Sequence, residues 1–153
     1  MSHINTGRVV LAGLAAGLVM NVIDGTVNGM LLAAQWGAES NALNPGLITK
    51  AGTSSMIGWI VMDFLAGIAL VWTYAAIRPR FGAGAGTAMK AGLLIWFVIH
   101  IVYMSYCFMG LYSLSLIGAS SLAGLVAALA GAYIGGMLYR EDQPMATPAG
   151  AKA

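Results

Sequence analysis

Between Ala88 and Tyr139 the chain runs 52 residues with no proline and a single formal charge, Lys90. As one helix, at ~1.5 Å per residue, that stretch would be about 78 Å long. A bilayer offers ~30 Å of hydrocarbon, which about 20 apolar residues cross. The stretch therefore fits two crossings joined by a tight turn, and the Gly110–Gly118 region, with Ser113 and Ser115, is where the turn is expected. Two more apolar segments precede it. The predicted spans are about 9–34, 56–77, 88–111 and 115–139, forming an all-α integral membrane bundle of four transmembrane helices in a single domain, 1–140.

Composition narrows the alternatives. Charged residues make up 8% of the chain, against roughly 25% in soluble domains. Disorder needs low hydrophobicity and high charge, the reverse of what is found. A single cysteine excludes a disulfide framework, and a net charge of +2 leaves no footprint for nucleic acid.

Positive charge sets the expected orientation, because Lys and Arg collect in cytoplasmic loops. An N-in, C-in arrangement places Arg8, Arg78, Arg80, Lys90, Arg140 and Lys152 inside and only Lys50 outside. Val9–Met20 has the length of a signal-peptide core, but no small-residue cleavage site follows and apolar character resumes past Asn28, so it is read as a retained span. Gln35–Ser55 is expected to be an external loop with turn formers at Asn41, Asn44, Pro45 and Gly46, part of it lying at the interface. Arg78-Pro79-Arg80 is expected to stop the second span. The glycine-rich run from Gly82 to Gly86 then reads as a linker, since it lacks the Lys-Ser/Thr and the preceding strand of a phosphate-binding loop. Residues 141–153 read as a mobile cytoplasmic tail.

Small residues mark packing faces, since lipid gives helices no hydrophobic reason to associate. Gly13 and Gly17 form one stripe on the first helix; Gly131 and Gly135, with Gly124 on a neighbouring stripe, form two on the fourth. These faces suit either packing inside one bundle or contact with another subunit.

Polar residues within the spans are the most informative. A charge at mid-bilayer costs ~2.5–3.5 kcal/mol on insertion scales, so such groups face an interior or a water-filled cavity. Asp24 and Asp63 are two of the five acidic residues. Asn21, Asp24 and Asn28 share one face of the first helix, and His100, Tyr103, Met104 and Cys107 share one of the third. Counted from the expected outer span ends, Asp24 lies ~15 Å deep, Asp63 ~10 Å and His100 ~18 Å.

Four readings fit these residues. They can fix helix register through hydrogen bonds. They can form a proton or cation pathway, with the Asp pair titrating and His100 as relay. Two carboxylates and an imidazole can hold a divalent ion, and His100, Met104 and Cys107 can hold a softer one. Finally, Trp59, Trp72, Trp96, Tyr103, Tyr106 and Phe108 can line a groove for lipid, quinone or pigment in an accessory subunit of a larger complex, although aromatic belts at span ends are ordinary. Haem within one subunit is poorly served by one intramembrane His, and no nucleophile–base pair suggests catalysis. No cofactor is required by the sequence.

The segment Trp72-Thr73-Tyr74-Ala75-Ala76-Ile77-Arg78-Pro79-Arg80-Phe81-Gly82, followed by Gly84 and Thr87-Ala88, resembles a group of small, uncharacterised bacterial four-helix inner-membrane proteins. Their first helix carries Asn, then an acidic residue, then Asn, to which Asn21, Asp24 and Asn28 are similar. The acidic residue here is Asp where the group has Glu, which shortens its reach. The resemblance implies a bacterial inner membrane and no mechanism. The leading expectation is a proton- or cation-coupled carrier or channel working through Asn21, Asp24, Asn28, Asp63, His100 and Tyr103. The alternative is a non-catalytic subunit that packs through its glycine faces. The expected partners are the bilayer, further copies of the chain, or other membrane subunits.

Overall fold

A computed structural model describes residues 4–141. All regular structure among them is helical. Helix α1 (Thr6–Thr26) passes into a π-helical turn (Val27–Leu31). A short α2 (Ala33–Leu43), α3 (Leu47–Phe81), α4 (Ala85–Phe108) and α5 (Leu114–Leu138) follow. Four segments are long and apolar enough to cross a membrane: Thr6–Leu31, α3, α4 and α5.

Several boundaries differ from expectation, each for a local reason. The first span ends at Leu31, not near residue 34, because Leu32 leaves helical geometry (φ −100°, ψ 1°) and α2 begins beyond it. The expected loop at Gln35–Ser55 is mostly helix. Its turn is confined to Asn44–Gly46, where Gly46 adopts a left-handed φ of 78° that glycine tolerates and Asn41 accepts from the Gly46 amide. Pro79 does not stop the second span, which runs on to Phe81. So near the end, a proline removes only one ladder bond. The Gly82 amide still closes the last turn on the Arg78 carbonyl, and Gly82, at φ 82°, ends it. The Arg78 side chain braces this turn, lying over the Tyr74 and Tyr139 rings and 3.7 Å from Glu141. The α4–α5 turn is Met109–Ser113, at the near edge of the expected region. The tail expected beyond Glu141 lies outside the described residues.

Successive long helices are antiparallel, so Arg8 and Arg140 meet at one end, where the Arg8 guanidinium donates to the Arg140 carbonyl at 3.5 Å. This is the proximal end; α2 and the α4–α5 turn lie at the distal end. Around the bundle, α1 packs against α3 and α5, and α4 packs against α5 and α3. The main core is proximal: Val9, Ala12, Ala16, Leu70, Val71, Tyr74, Ala75, Ala88, Ala91, Ala132 and Tyr139.

The glycines set the spacing. A Cβ at Gly67 would lie 2.5 Å from the Gly13 carbonyl and the Gly17 amide, so α1 and α3 touch backbone to backbone. Gly131 abuts Ala16 and Met20, Gly135 abuts Val71 and Ala16, and Gly124 abuts His100. All five glycines singled out from the sequence are thus used inside one chain, and a partner subunit would have to find another surface.

Burial changes along the bundle axis. α5 is buried at intervals from Leu116 to Gly135. In α1 burial stops at Met20, in α3 it begins only at Gly67, and in α4 it ends at Gly92. Distally the helices form an arc, in the order α3, α1, α5, α4, whose two ends are not closed on each other by buried residues.

Candidate functional site

The polar residues line this distal arc. Gly13 lies opposite Ile68 and Gly17 opposite Phe64 across the α1–α3 contact. One turn further, the Asn21 side-chain amide donates both to its own helix, at Gly17 O (3.0 Å), and across to Ile60 O of α3 (3.2 Å). This bond ties the α1 side chain to the α3 backbone just beyond the glycine contacts and fixes the register. Asp63 then sits proximal to the Asn21 level and Asp24 distal to it, about six residues apart, or ~9 Å of helix rise. Helical side chains lean toward the N-terminus of their own helix. In an antiparallel pair Asp24 therefore leans proximally and Asp63 distally, and the two carboxylates come within electrostatic range of each other beside Asn21. Both residues are only half-buried.

A second polar chain crosses from α1 to α5 and α4. Asn28, in the π turn, accepts from Ser120 of α5 at 2.6 Å and from the Trp36 indole of α2 at 3.2 Å. The Tyr103 hydroxyl interacts with Ser120 and lies within electrostatic range of Asp24. Asn21, Asp24, Asn28, Asp63 and Tyr103 are thus gathered on the arc.

His100 is not. Its ring sits in the notch left by Gly124, with Nδ1 2.8 Å from the Trp96 carbonyl, stacked on Trp96 and edge-on to Tyr103. The facing pairs Ser120–Asn28 and Gly131–Ala16 put Gly124 near the level of Asp24, so His100 shares that layer, but across α5. The expected grouping of Asp24, Asp63 and His100 does not form. Among the described residues no three His, Cys, Asp or Glu side chains converge to hold a metal ion, which removes the two-carboxylate, one-imidazole site. The aromatic groove is only partly assembled: Trp59 and Trp72 are exposed, each with about half or more of its surface free (61% and 47%). Trp96, His100, Tyr103 and Tyr106 form a continuous ring ladder along α4.

The distal cover was not legible as such. α2 leaves the π turn and crosses the arc. Trp36 packs on Tyr112 (ring centroids 5.0 Å) and Tyr103 (6.3 Å), and Ser40 is hydrogen-bonded to Tyr112. Glu39 accepts from the Ser113 backbone N–H (2.7 Å), the Ser113 hydroxyl (2.6 Å) and Gln35 (2.9 Å). Ser113 is the N-cap of α5 and accepts from the Leu116 amide, so a carboxylate lies at a helix N-terminus, where the dipole favours it. The Ser113 amide and hydroxyl hold the Glu39 carboxyl below its ordinary range. Two sequence signals belong to this site: Gln35 and Glu39 four apart on one helix face, and Ser113 just ahead of an apolar run. Neither names the other as partner.

Compared with protein-family models, with curated proteins and with solved structures, the chain matches none.

Proposed function

We propose that this protein is a small proton- or cation-coupled carrier or channel of a bacterial inner membrane, with Asp24 and Asp63 as its charge-bearing groups. One observation carries the reading: two carboxylates converge from antiparallel helices in the part of the bundle that lacks a closed core. Keeping such groups in a membrane is costly, and facing a wetted cleft lowers that cost. Asn21 holds the helices that carry them, and Asn28, Ser120 and Tyr103 continue the polar lining. His100, set apart across α5, acts in packing in this reading and not as a relay. Orientation belongs to the same proposal. The proximal end carries Arg8, Arg78, Arg80, Lys90 and Arg140, and the α2–α3 side carries Lys50. The positive-inside bias then makes the proximal end cytoplasmic and the cleft external.

The test is flux in proteoliposomes that contain the purified full chain and a trapped pH indicator. An imposed pH gradient should dissipate faster than in empty vesicles. Asp63→Asn should abolish that excess while leaving helical content and insertion intact. Unchanged flux in Asp63→Asn would remove the carboxylate pair from the pathway.

A further inference from the structure

α2 crosses the distal end of the arc and is bounded on both sides by residues that leave helical geometry. α2 is bounded on one side by the π turn Val27–Leu31 and the non-helical Leu32. On the other side lie Asn44–Gly46 and, five residues into α3, Gly52 at φ 51°. π turns tend to mark functional sites in helices. Gly25, just before this turn, and Gly29, within it, have open space where a side chain would be. The helix between these points is held to the α4–α5 turn and the start of α5 by a few polar groups and to the ring ladder by one aromatic side chain, Trp36, which packs on Tyr112 and Tyr103. Glu39 takes both Ser113 donors, Gln35 donates to Ser115 (3.2 Å), and Ser40 meets Tyr112. Ser40 is the only buried residue of α2. An element with little apolar burial and a polar attachment opens at low free-energy cost.

We propose that α2 is a gate over the distal end of the Asp24–Asp63 cleft, closed by the Glu39–Ser113 latch and released when Glu39 is protonated or its hydrogen bonds are lost. As a gate, α2 rests on the reading of the cleft as the working site; the motion itself does not. The latch is accepting in character. An ionised Glu39 receives two donors from Ser113 and one from Gln35, whereas a protonated carboxyl gives up acceptor capacity and the attraction of the α5 N-terminus. The groups facing Glu39 are Gln35 on α2 and Ser113 and Ser115 at the start of α5. The one titratable neighbour in that contact is Tyr112, which reaches α2 through Ser40 and carries no charge at neutral pH. Among the described residues no Lys, Arg or His makes a contact with Glu39 that would oppose release.

Spin labels at Ala38→Cys on α2 and Leu122→Cys on α5, in the full chain with Cys107→Ser, read the motion as a distance distribution. Both label sites are exposed. At pH 7 a single short distance should dominate. Lowering the pH stepwise through the ordinary carboxylate range and below it should raise a longer-distance population only as it passes the lowered Glu39 value. Glu39→Ala should show that population already at neutral pH, with the open-to-closed ratio raised about tenfold and no further response to acid. Glu39→Gln, which keeps an acceptor without the charge, should fall between. A distribution that neither acid nor Glu39→Ala moves overturns the gate. Because this readout needs no transport, a gate that opens in a protein without flux defeats the functional reading alone, and flux with an immobile α2 defeats the gate alone.

Discussion

Replacing Gly67 by alanine tests the packing that places the two carboxylates. The added Cβ would lie 2.5 Å from the Gly13 carbonyl, 2.5 Å from the Gly17 amide and 2.8 Å from the Gly17 Cα. All three are backbone atoms, so no side chain can swing aside. Ordinary contact begins near 3.4 Å, so α1 and α3 must separate by the difference from 2.5 Å, close to 0.9 Å. Overpacking of this kind costs about 1–3 kcal/mol. The same separation would stretch the Asn21–Ile60 bond from 3.2 Å past hydrogen-bonding range, and an interhelical bond in a membrane is worth ~0.6 kcal/mol. The expected loss is thus about 1.5–3.5 kcal/mol, read as reversible unfolding in mixed micelles. Gly58→Ala is the control. It lies on the same helix with nothing within 4 Å of the new methyl, and it should cost nothing. Equal stability of the two variants would refute the backbone-contact account and, with it, the register that brings Asp24 toward Asp63. If Gly67→Ala folds at all, its pH-driven flux should also fall, because the carboxylate pair depends on that spacing.

Other outcomes follow from the distal end and from α4. Ser113→Ala removes the N-cap of α5 and one Glu39 donor together; a cap alone is worth about 1 kcal/mol, and the loss should appear as faster amide exchange at Leu116 and in α2. Stability should depend on acid in the direction set by Glu39. Its carboxyl is held below the ordinary value by Ser113, so its contribution is complete above the ordinary carboxylate range and fades as pH falls through the lowered value. That dependence should vanish in Glu39→Gln. Gly124→Ala would set a methyl 2.5 Å from His100 Nε2, displacing the ring from Trp96, and should change the Trp96 fluorescence while sparing flux if His100 is a packing group.

Much of the fold can be read from one strong physical constraint. Twenty apolar residues per crossing and the lone Lys90 in the last stretch are enough to place four spans and the turn between the last two. Boundaries were less legible where two local signals compete. Pro79 reads as a stop, yet only one ladder bond is at stake so close to the end of α3. Asn41, Asn44, Pro45 and Gly46 all read as turn, yet only the last three leave the helix, while Asn41 stays in α2 and accepts from the Gly46 amide. Site residues on one helix were legible because period alone puts Asn21, Asp24 and Asn28 together. Contacts between helices were not. His100 has the right depth but packs on α5 in the Gly124 notch, because depth follows from counting residues while azimuth depends on which helices are neighbours. Gly67 carries no motif of its own, and its role emerges only when Gly13 and Gly17 are seen facing it.

Where the small residues lie also explains why one end is closed and the other open. Proximally, Gly67 meets Gly13 and Gly17, Gly135 meets Ala12 and Ala16, Gly92 meets Ala128 and Ala132, and Gly136 meets Ala88. Four helices can approach closely only where each contact has such a pair, since packing, not hydrophobic exclusion, holds them together in lipid. Distally α5 still offers Ser120 and Gly124, but α3 presents Met56, Ile57, Trp59 and Ile60, all exposed, and α4 presents the Trp96–His100–Tyr103–Tyr106 ring ladder. The α4 ladder packs on α5 and not on α3, so the distal parts of α3 and α4 contribute no buried residues to a shared core. Asp24 and Asp63 lie in that less closely packed part. The same division that stabilises the proximal end therefore leaves Asp24 and Asp63 half-buried and outside the closed core.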